Sequence, residues 1–463
     1  MTEGHPSRAL FQDALAGRIN RRELLQRAAA LGLTAPVVGA LLQASVRGGL
    51  ASEEGKLNVT YYDWILSLHA PITQVDEEFG KTFPFHADVA PSAGFSTDIF
   101  VTEAKDQKST WDLYIGVTPF LEMIQLAESG VIEPWDPYLP AGVLDDILPA
   151  MRAEGTYNGQ FYVWPFLLDV IVQGWNTDVV AKAGLDPETA PKTWDEYLAN
   201  AQKIKESGAA NFGCTFDFHD WRSLIPIANS ISTEVYNPDG TFMWTSDAAV
   251  EALEIMKRMM EYANPDVLNE GTTDAGVNGT PDEQAFAQQQ VGYYIKYENA
   301  HLRFAGVWPD PTKLRLAALP RKEGGSGGTV FWDTGAVLLK YGKNKEQAAN
   351  YMKALTYDQR IWEHSVTGDP SKGQTPVGQL PVYQSIWNEY KANRPAWMTD
   401  WAFAIYDGLE SAKAIAPTKL SVGQFTVARP QWVKYLKSET KDAKAALQAA
   451  QDAVTTEMQK AGS

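Results

Sequence analysis

Residues 162–178 read YVWPFLLDVIVQGWNTD, an almost unbroken apolar run with one ionisable group, Asp169, in its middle. The β-branched and aromatic content marks a buried strand, flanked by Trp164 and Trp175. A carboxylate costs too much to bury without a partner, so Asp169 needs a reason to be there. Two remain open from the residues alone: an ion pair with an arginine inside a core, or a ligand that meets the strand.

The segments around this run alternate between strand-like and helix-like text. KLNVTYYDW (56–64) and WDLYIGV (111–117) are expected strands, the latter followed by a helical TPFLEMIQLAESG that stops at Gly130. TWDEYLANAQKIKESG (193–208) opens with the capping-box pair Thr193 and Glu196 and closes on Gly208. SDAAVEALEIMKRMMEYAN (246–264) is a long helix capped by Ser246, and EQAFAQQQVGYYIKY (283–297) is a helix running into a strand. TVFWDTGAVLL (329–339) is strand-like, NKEQAANYMKALTY (344–357) is helical, and residues 441–461 form an alanine-rich amphipathic helix. KEGGSGG (322–328) lacks the Gly-Lys-Ser/Thr ending of a phosphate loop and is expected to be a flexible connection. Such alternation predicts an α/β fold with mostly parallel sheets, and 463 residues predict more than one domain.

The formal net charge is −17, and setting aside residues 1–50, with six arginines against three acids, leaves −20. A surface this acidic lacks the basic footprint of a nucleic-acid binder and disfavours anionic lipid. The single Cys214 excludes an intramolecular disulfide and a zinc cage of several thiolates, and is read as a small buried hydrophobe. Near the start, NRRELLQR precedes AAALGLTAPVVGALLQAS (28–45), a basic region before an apolar stretch short for a membrane span. With Arg21 and Arg22 adjacent, it resembles a twin-arginine export signal, although Asn20 and Leu24 depart from that pattern. Residues 1–52 are therefore expected to be a leader, cut somewhere in 43–55. No cysteine follows the apolar stretch to carry a lipid, so a periplasmic protein is expected.

The block YNGQFYVWPFLLDVIVQGWNTDVVAKAGLDPETAPKTWDEYLANAQKIKESG resembles the family 1 extracellular solute-binding proteins, the maltose-binding-protein-like capture subunits of carbohydrate ABC importers. The resemblance rests on Gly159, Tyr162, Pro165, Trp175–Asn176, Ala183–Gly184–Leu185, Pro191 and Thr193–Trp194–Asp195–Glu196; Trp175 stands where tyrosine is common. WDLYIGVTPFLEMIQLAESGVIEPWDPYL, QVGYYIKYENA and the run from LAALPRKEGGSGG to KNKEQAANYMKALT resemble further family segments in the same order. The resemblance implies a two-lobe, type II binding-protein fold with the ligand in a cleft between α/β lobes. Lobe one is expected over 55–168 plus 335–372 and lobe two over 172–330 plus 376–463. Crossings are expected near 169–171, 331–334 and 373–375.

In such a fold ligands sit beyond the carboxyl ends of strands. Candidate ligand residues are then Asp63, Trp64, Gly116, Thr118, Asp169, Tyr297, Glu298, Asn299, Trp332 and Asp333, together with Trp221, Arg222 and Trp401. Trp64, Trp221, Trp332 and Trp401 are expected in loops or breaks. Trp111 and Trp194 are read as structural, and Asp112 as fixing a turn. Sugars offer apolar C–H faces and hydroxyl rims, which suit aromatic platforms beside carboxylates that accept hydroxyl donors. The expected function is capture of a carbohydrate-like solute for an ABC permease and its cytoplasmic ATPase, by a monomer without catalytic residues, cofactor or metal. Arg222 is open between binding a ligand and neutralising Asp169. Two alternatives stand beside this: the same fold taking a polyamine, peptide or opine-like solute, and a secreted carbohydrate-active hydrolase. FDFHDW (216–221) offers Asp217, His219 and Asp220, for which loop polarity is preferred over a metal.

Overall fold

The computed structural model describes residues 52, 54–89, 97–269 and 280–461. The expected leader, apart from Ser52, lies outside them. Among the described residues no helix is long and apolar enough to cross a membrane.

The run that carries Asp169 forms a single strand, Trp164–Asn176, all thirteen residues of it buried. At about 3.3 Å per residue it spans about 40 Å, enough to serve two cores. Numbering the strands of four or more residues in chain order gives β1 (Leu57–Tyr61), β2 (Phe85–Val89), β3 (Leu113–Val117), β4 (Trp164–Asn176), β5 (Phe212–Phe216), β6 (Val291–Tyr297), β7 (Leu314–Ala317) and β8 (Val330–Leu339). They hydrogen-bond into one sheet in the order β2-β1-β3-β8-β4-β6-β5, with β7 beside β4. The outer pairs β1–β2, β1–β3 and β5–β6 are parallel, whereas β8 runs antiparallel to both β3 and β4, and β4 antiparallel to β6.

The two halves of β4 have different neighbours. Trp164–Val170 pairs with β8, and Ile171–Trp175 pairs with β6. The strand reaches into both cores: its first half packs in one, and Ile171 and Trp175 pack in the other. Leu57, Ile115, Trp135, Trp164, Trp362 and Trp387 pack in the first. Trp175, Trp194, Tyr197, Trp244, Tyr293 and Trp432 pack in the second. The indole N–H groups of seven of these eight tryptophans are satisfied on the spot, for example Trp164 by the Tyr383 hydroxyl at 2.7 Å and Trp194 by Ser230 at 2.8 Å. Trp111 packs edge-on against Phe100.

Local signals act as the sequence predicts at several ends. Thr193 and Glu196 form a reciprocal capping box on the helix Trp194–Glu206, and Ser246 accepts from the Ala249 N–H at the start of Asp247–Met259. Two expectations differ. The first core includes Leu380, Tyr383, Trp387, Tyr390 and Ile405, so residues from about 380 to 412 pack with lobe one, whereas the sequence suggested lobe two from 376 onward. The return to the second core comes with Ile415 and Phe425. The glycine-rich patch is not loose at its end. A Cβ on Gly327 would lie 1.8 Å from the Asn229 carbonyl oxygen, and Gly327 and Gly328 are buried. Glycine is needed there for backbone approach, not for flexibility.

Asp112 ties the first lobe together. Its carboxylate accepts from the Ser52 hydroxyl (2.6 Å), the backbone N–H groups of Asn58 (2.8 Å), Lys343 (2.6 Å) and Asn344 (3.1 Å), and the Asn344 side-chain amide (3.1 Å). This one side chain joins segments that are 54 to 232 residues apart in sequence. Asp112→Ala strands several buried donors, at about 1–3 kcal/mol each. The expected outcome is a loss of about 3 kcal/mol or more in urea unfolding. Affinity for ligand, measured on the folded fraction, should be unchanged.

Candidate functional site

The change of partner at Val170–Ile171 brings three segments to one place. Trp332 of β8 lies opposite Asp169, and Tyr297, the last residue of β6, lies opposite Ile171. Directly paired residues share a sheet face, and so do residues two apart. Asp169, Ile171, Trp332 and Tyr297 therefore project on the same face, and the Tyr297 and Trp332 rings are 5.6 Å apart. The third segment arrives through Leu380, which pairs with Leu168 and places the Gln379 amide 2.8 Å from Asp169 Oδ2.

Around this face stand residues from both lobes. The 3-10 turn Asp220–Arg222 brings Trp221 to 5.8 Å from Phe120 and 5.1 Å from Phe425. The Arg222 guanidinium lies 4.9 Å from the Tyr297 ring centre and 3.3 Å from Asp217, which orients it. Asp217 is gripped by buried Lys296 and by His219 at 2.7 Å. Burial alone would raise the Asp217 carboxyl, but Lys296, His219 and Arg222 together hold it well below the usual carboxylate range. Asp220 bonds Arg429 (2.8 Å) and the Trp432 indole N–H. The FDFHDW carboxylates are thus engaged with cations and an indole, and among the described residues no group of three or more His, Cys, Asp and Glu side chains could hold a metal ion.

Asp169 is 5% exposed, and its Oδ1 has no hydrogen-bond partner among the described residues. Burial lifts its pKa to about 7, against the Gln379 hydrogen bond and the attraction of Arg222 and Arg303. Among the described residues no salt bridge joins an arginine to Asp169; Arg222 pairs with Asp217 and Arg303 with Glu283. Behind Gln379 stands His69, whose Nε2 is 2.8 Å from Gln379 Oε1. Burial lowers the His69 pKa to about 4, which keeps the ring neutral. Nε2–H then donates to Gln379 Oε1, and the Gln379 amide is left facing Asp169.

Other carboxyls surround the crossing. Glu298 is fully buried, accepts from the Val170 N–H at 2.6 Å, and is raised well above its ordinary range by burial and then by Asp169. Asp333 accepts from the Phe166 N–H at 2.9 Å, and Glu154 accepts from the Asp333 N–H at 3.1 Å. Burial raises both, with mutual repulsion adding to Glu154 and Asp169 adding to Asp333.

The remaining candidates divide clearly. Thr118 is buried, with its hydroxyl 3.3 Å from that of Thr334. Gly116 abuts Tyr62, where a Cβ would come within 2.5 Å of the Tyr62 Cβ. Asn299 is buried in the first turn of the helix Glu298–Ala305. Asp333 pairs with Leu168, so strand alternation puts it on the face opposite Asp169 and Trp332. Asp63 is exposed at the start of the helix Asp63–Leu68, and Trp64 in that helix packs against the first core beside Tyr62. Trp401 packs against the first core from the helix Asp400–Gly408. Of the four tryptophans expected in loops or breaks, only Trp221 is in one; Trp332 lies inside β8 and Trp64 and Trp401 lie in helices. Gln379, His69, Glu154 and Phe120 were not singled out by the sequence.

Two α/β cores joined by a shared strand, with convergent aromatic and carboxyl groups at the joint, define a two-lobe binding protein. The comparisons agree. Residues 87–359 match the bacterial extracellular solute-binding protein family, and the chain belongs to it. A Brucella abortus protein named only as a binding protein is 25% identical over 324 residues, covering 66% of this chain and 75% of that one. MalE3 of T. maritima, solved with maltose, superposes with a TM-score of 0.67 at 18% identity, over 87% of this chain and 99% of that one. A Thermotoga lettingae ABC-transporter solute-binding protein, solved with α-D-tagatose, gives 0.67 at 21%, over 87% and 99%. The chain is thus a solute-binding protein for ABC import, from a family of binding proteins and not of enzymes.

Glu122 allows a direct test of the buried-carboxyl electrostatics. Its carboxyl accepts from the Thr118 N–H, and burial lifts its pKa from 4.5 to about 8. A raised carboxyl contributes stability fully below its unfolded pKa and loses it as pH rises through the folded one. In Glu122→Gln that titration is gone while an acceptor for Thr118 remains. The melting temperature of Glu122→Gln relative to the native protein should therefore rise between pH 5 and pH 8 in calorimetry. A difference that stays flat across this range would refute the assignment.

Proposed function

We propose that this protein captures a sugar-like solute in the cleft at the β4 crossing and delivers it to an ABC permease by closure of the two lobes. The observation that carries the reading is Asp169 Oδ1: a buried acceptor without a hydrogen-bond partner among the described residues, next to Trp332 and Tyr297 and fixed through Gln379. An unmet buried acceptor costs about 1–3 kcal/mol, and a ligand hydroxyl removes that cost. Trp332, Trp221 and Tyr297 supply faces for the C–H side of a sugar ring, and Arg222 supplies a donor edge. Glu298, Asn299 and Thr118 complete the proposed polar set. Asp333, Asp63, Trp64 and Trp401 are proposed as structural, and Gly116 as a close-packing position.

The structural neighbours solved with maltose and with tagatose support a carbohydrate over other solutes. So do the raised carboxyls: partly protonated groups exert less pull on a polyamine than ionised ones. Ligand bound to both lobes stabilises the closed arrangement by its differential contacts. Export to the periplasm through the twin-arginine-like leader, action as a monomer, and absence of catalysis belong to the same proposal.

Thermal shift with maltose, tagatose, sn-glycerol 3-phosphate, sorbitol and putrescine sorts the solute class, a stabilised protein and intact recovered sugar being the expected result. Recovery of a cleaved product would instead support a hydrolase. Asp169→Ala should weaken binding of the responding sugar by about tenfold or more, while lowering the unliganded melting temperature little. Because a hydroxyl donor favours ionised Asp169, calorimetric affinity should rise from pH 6 to pH 8 and the rise should vanish in Asp169→Asn.

A further inference from the structure

Phe120 starts from lobe one and ends in lobe two. Its backbone lies in the turn Pro119–Met123 that follows β3, yet its side chain, 3% exposed, belongs to the second core. The ring is 5.8 Å from Trp221, 6.3 Å from Phe425 and 6.5 Å from Trp332, at interplanar angles of 57° to 74°. Those tilted and edge-on geometries are favourable for aromatic pairs. Other contacts flank it across the same gap. The Ser421 hydroxyl donates to the Leu121 carbonyl, the Gln125 amide donates to the Lys419 carbonyl at 2.9 Å, and Lys419 pairs with Glu128 at 2.7 Å. The Lys419–Glu128 pair is exposed on both sides and contributes little. Burial of the phenyl ring dominates this contact.

We propose that Phe120 is a specificity-determining residue that occupies the aromatic pocket of Trp221, Trp332 and Phe425, so that a solute using these rings must displace it. This rests on the reading of the crossing as the ligand cleft. A phenyl ring leaves behind a flat apolar space, which a sugar ring with its C–H face can refill and a linear polyol or polyamine cannot refill as well. Phe120 thereby sets a threshold: solutes without a ring face lose more on displacing it than they regain. It also holds the lobes together when no solute is present.

The test needs no ligand. Phe120→Ala should shift the closed-to-open ratio by on the order of tenfold to a hundredfold, from the lost burial of one large apolar side chain. In small-angle X-ray scattering the unliganded variant should show a larger radius of gyration than the native protein. Phe100→Ala is the control, because Phe100 packs inside lobe one against Trp111 and Tyr114. It should lower the melting temperature without enlarging the particle. If Phe120→Ala does not fold, Phe120→Leu carries the same measurement with a smaller expected change. A folded variant with the native radius of gyration overturns the proposal, as does equal enlargement in the Phe100→Ala control. Failure of the sugar screen would instead sink the ligand-class reading and leave the scattering result standing.

Discussion

The structure depends on one strand serving two cores. Trp164–Asn176 is hydrogen-bonded to β8 through its first half and to β6 through its second, and it is buried along its whole length. A strand shared in this way cannot be disrupted in one lobe without disturbing the other. The side chains that flank the point where the partner changes, Asp169, Trp332 and Tyr297, stand where β8, β4 and β6 meet.

The carboxyls around the crossing gain meaning from that position. Glu154, Asp333, Asp169 and Glu298 each influence the next, and burial raises all four. Like-charged neighbours in a low dielectric do not all ionise. Three of them satisfy backbone N–H groups that strand pairing leaves open: Glu298 at Val170, Asp333 at Phe166 and Glu154 at Asp333. Their structural work is to supply acceptors where the ladders part company. Asp169 differs in bonding a side-chain amide and not a backbone N–H; its Oδ1, like Glu298 Oε1 and Asp333 Oδ2, has no hydrogen-bond partner among the described residues.

Much of the local structure was legible because its signals are local. Thr193 with Glu196 and Ser246 mark helix starts by side-chain reach over three residues, and such reach survives into the fold. Asp169 was legible as a misfit, a charge in a strand that otherwise reads as core. Gln379 and His69 were not, because QLPVY and SLHAP carry no anomaly; their roles exist only through contacts 210 and 310 residues apart. The tryptophans were misplaced for a related reason. Trp332 is expected in a loop or break, but in β8 the alternation of a strand puts Trp332 on one face and Asp333 on the other. Adjacency in sequence there means separation in space. The packing of residues 380–412 against the first core was not legible, because it rests on contacts far apart in sequence.

Phe120 shows the same limit from the opposite side. In the segment TPFLEMIQLAESG it is one apolar residue among several that fill lobe one, such as Met123, Ile124 and Leu126. Helical spacing cannot tell which of them faces the far lobe. The difference comes from the turn, where Pro119 and the Thr118–Glu122 hydrogen bond set the chain's exit from β3. That exit directs Phe120 across the gap while Met123 and Ile124 return to the first core. A buried carboxyl in lobe one thus helps position an aromatic ring in lobe two. The Thr118–Glu122 hydrogen bond and the packing between lobes are for this reason parts of one arrangement, joined through five residues of backbone.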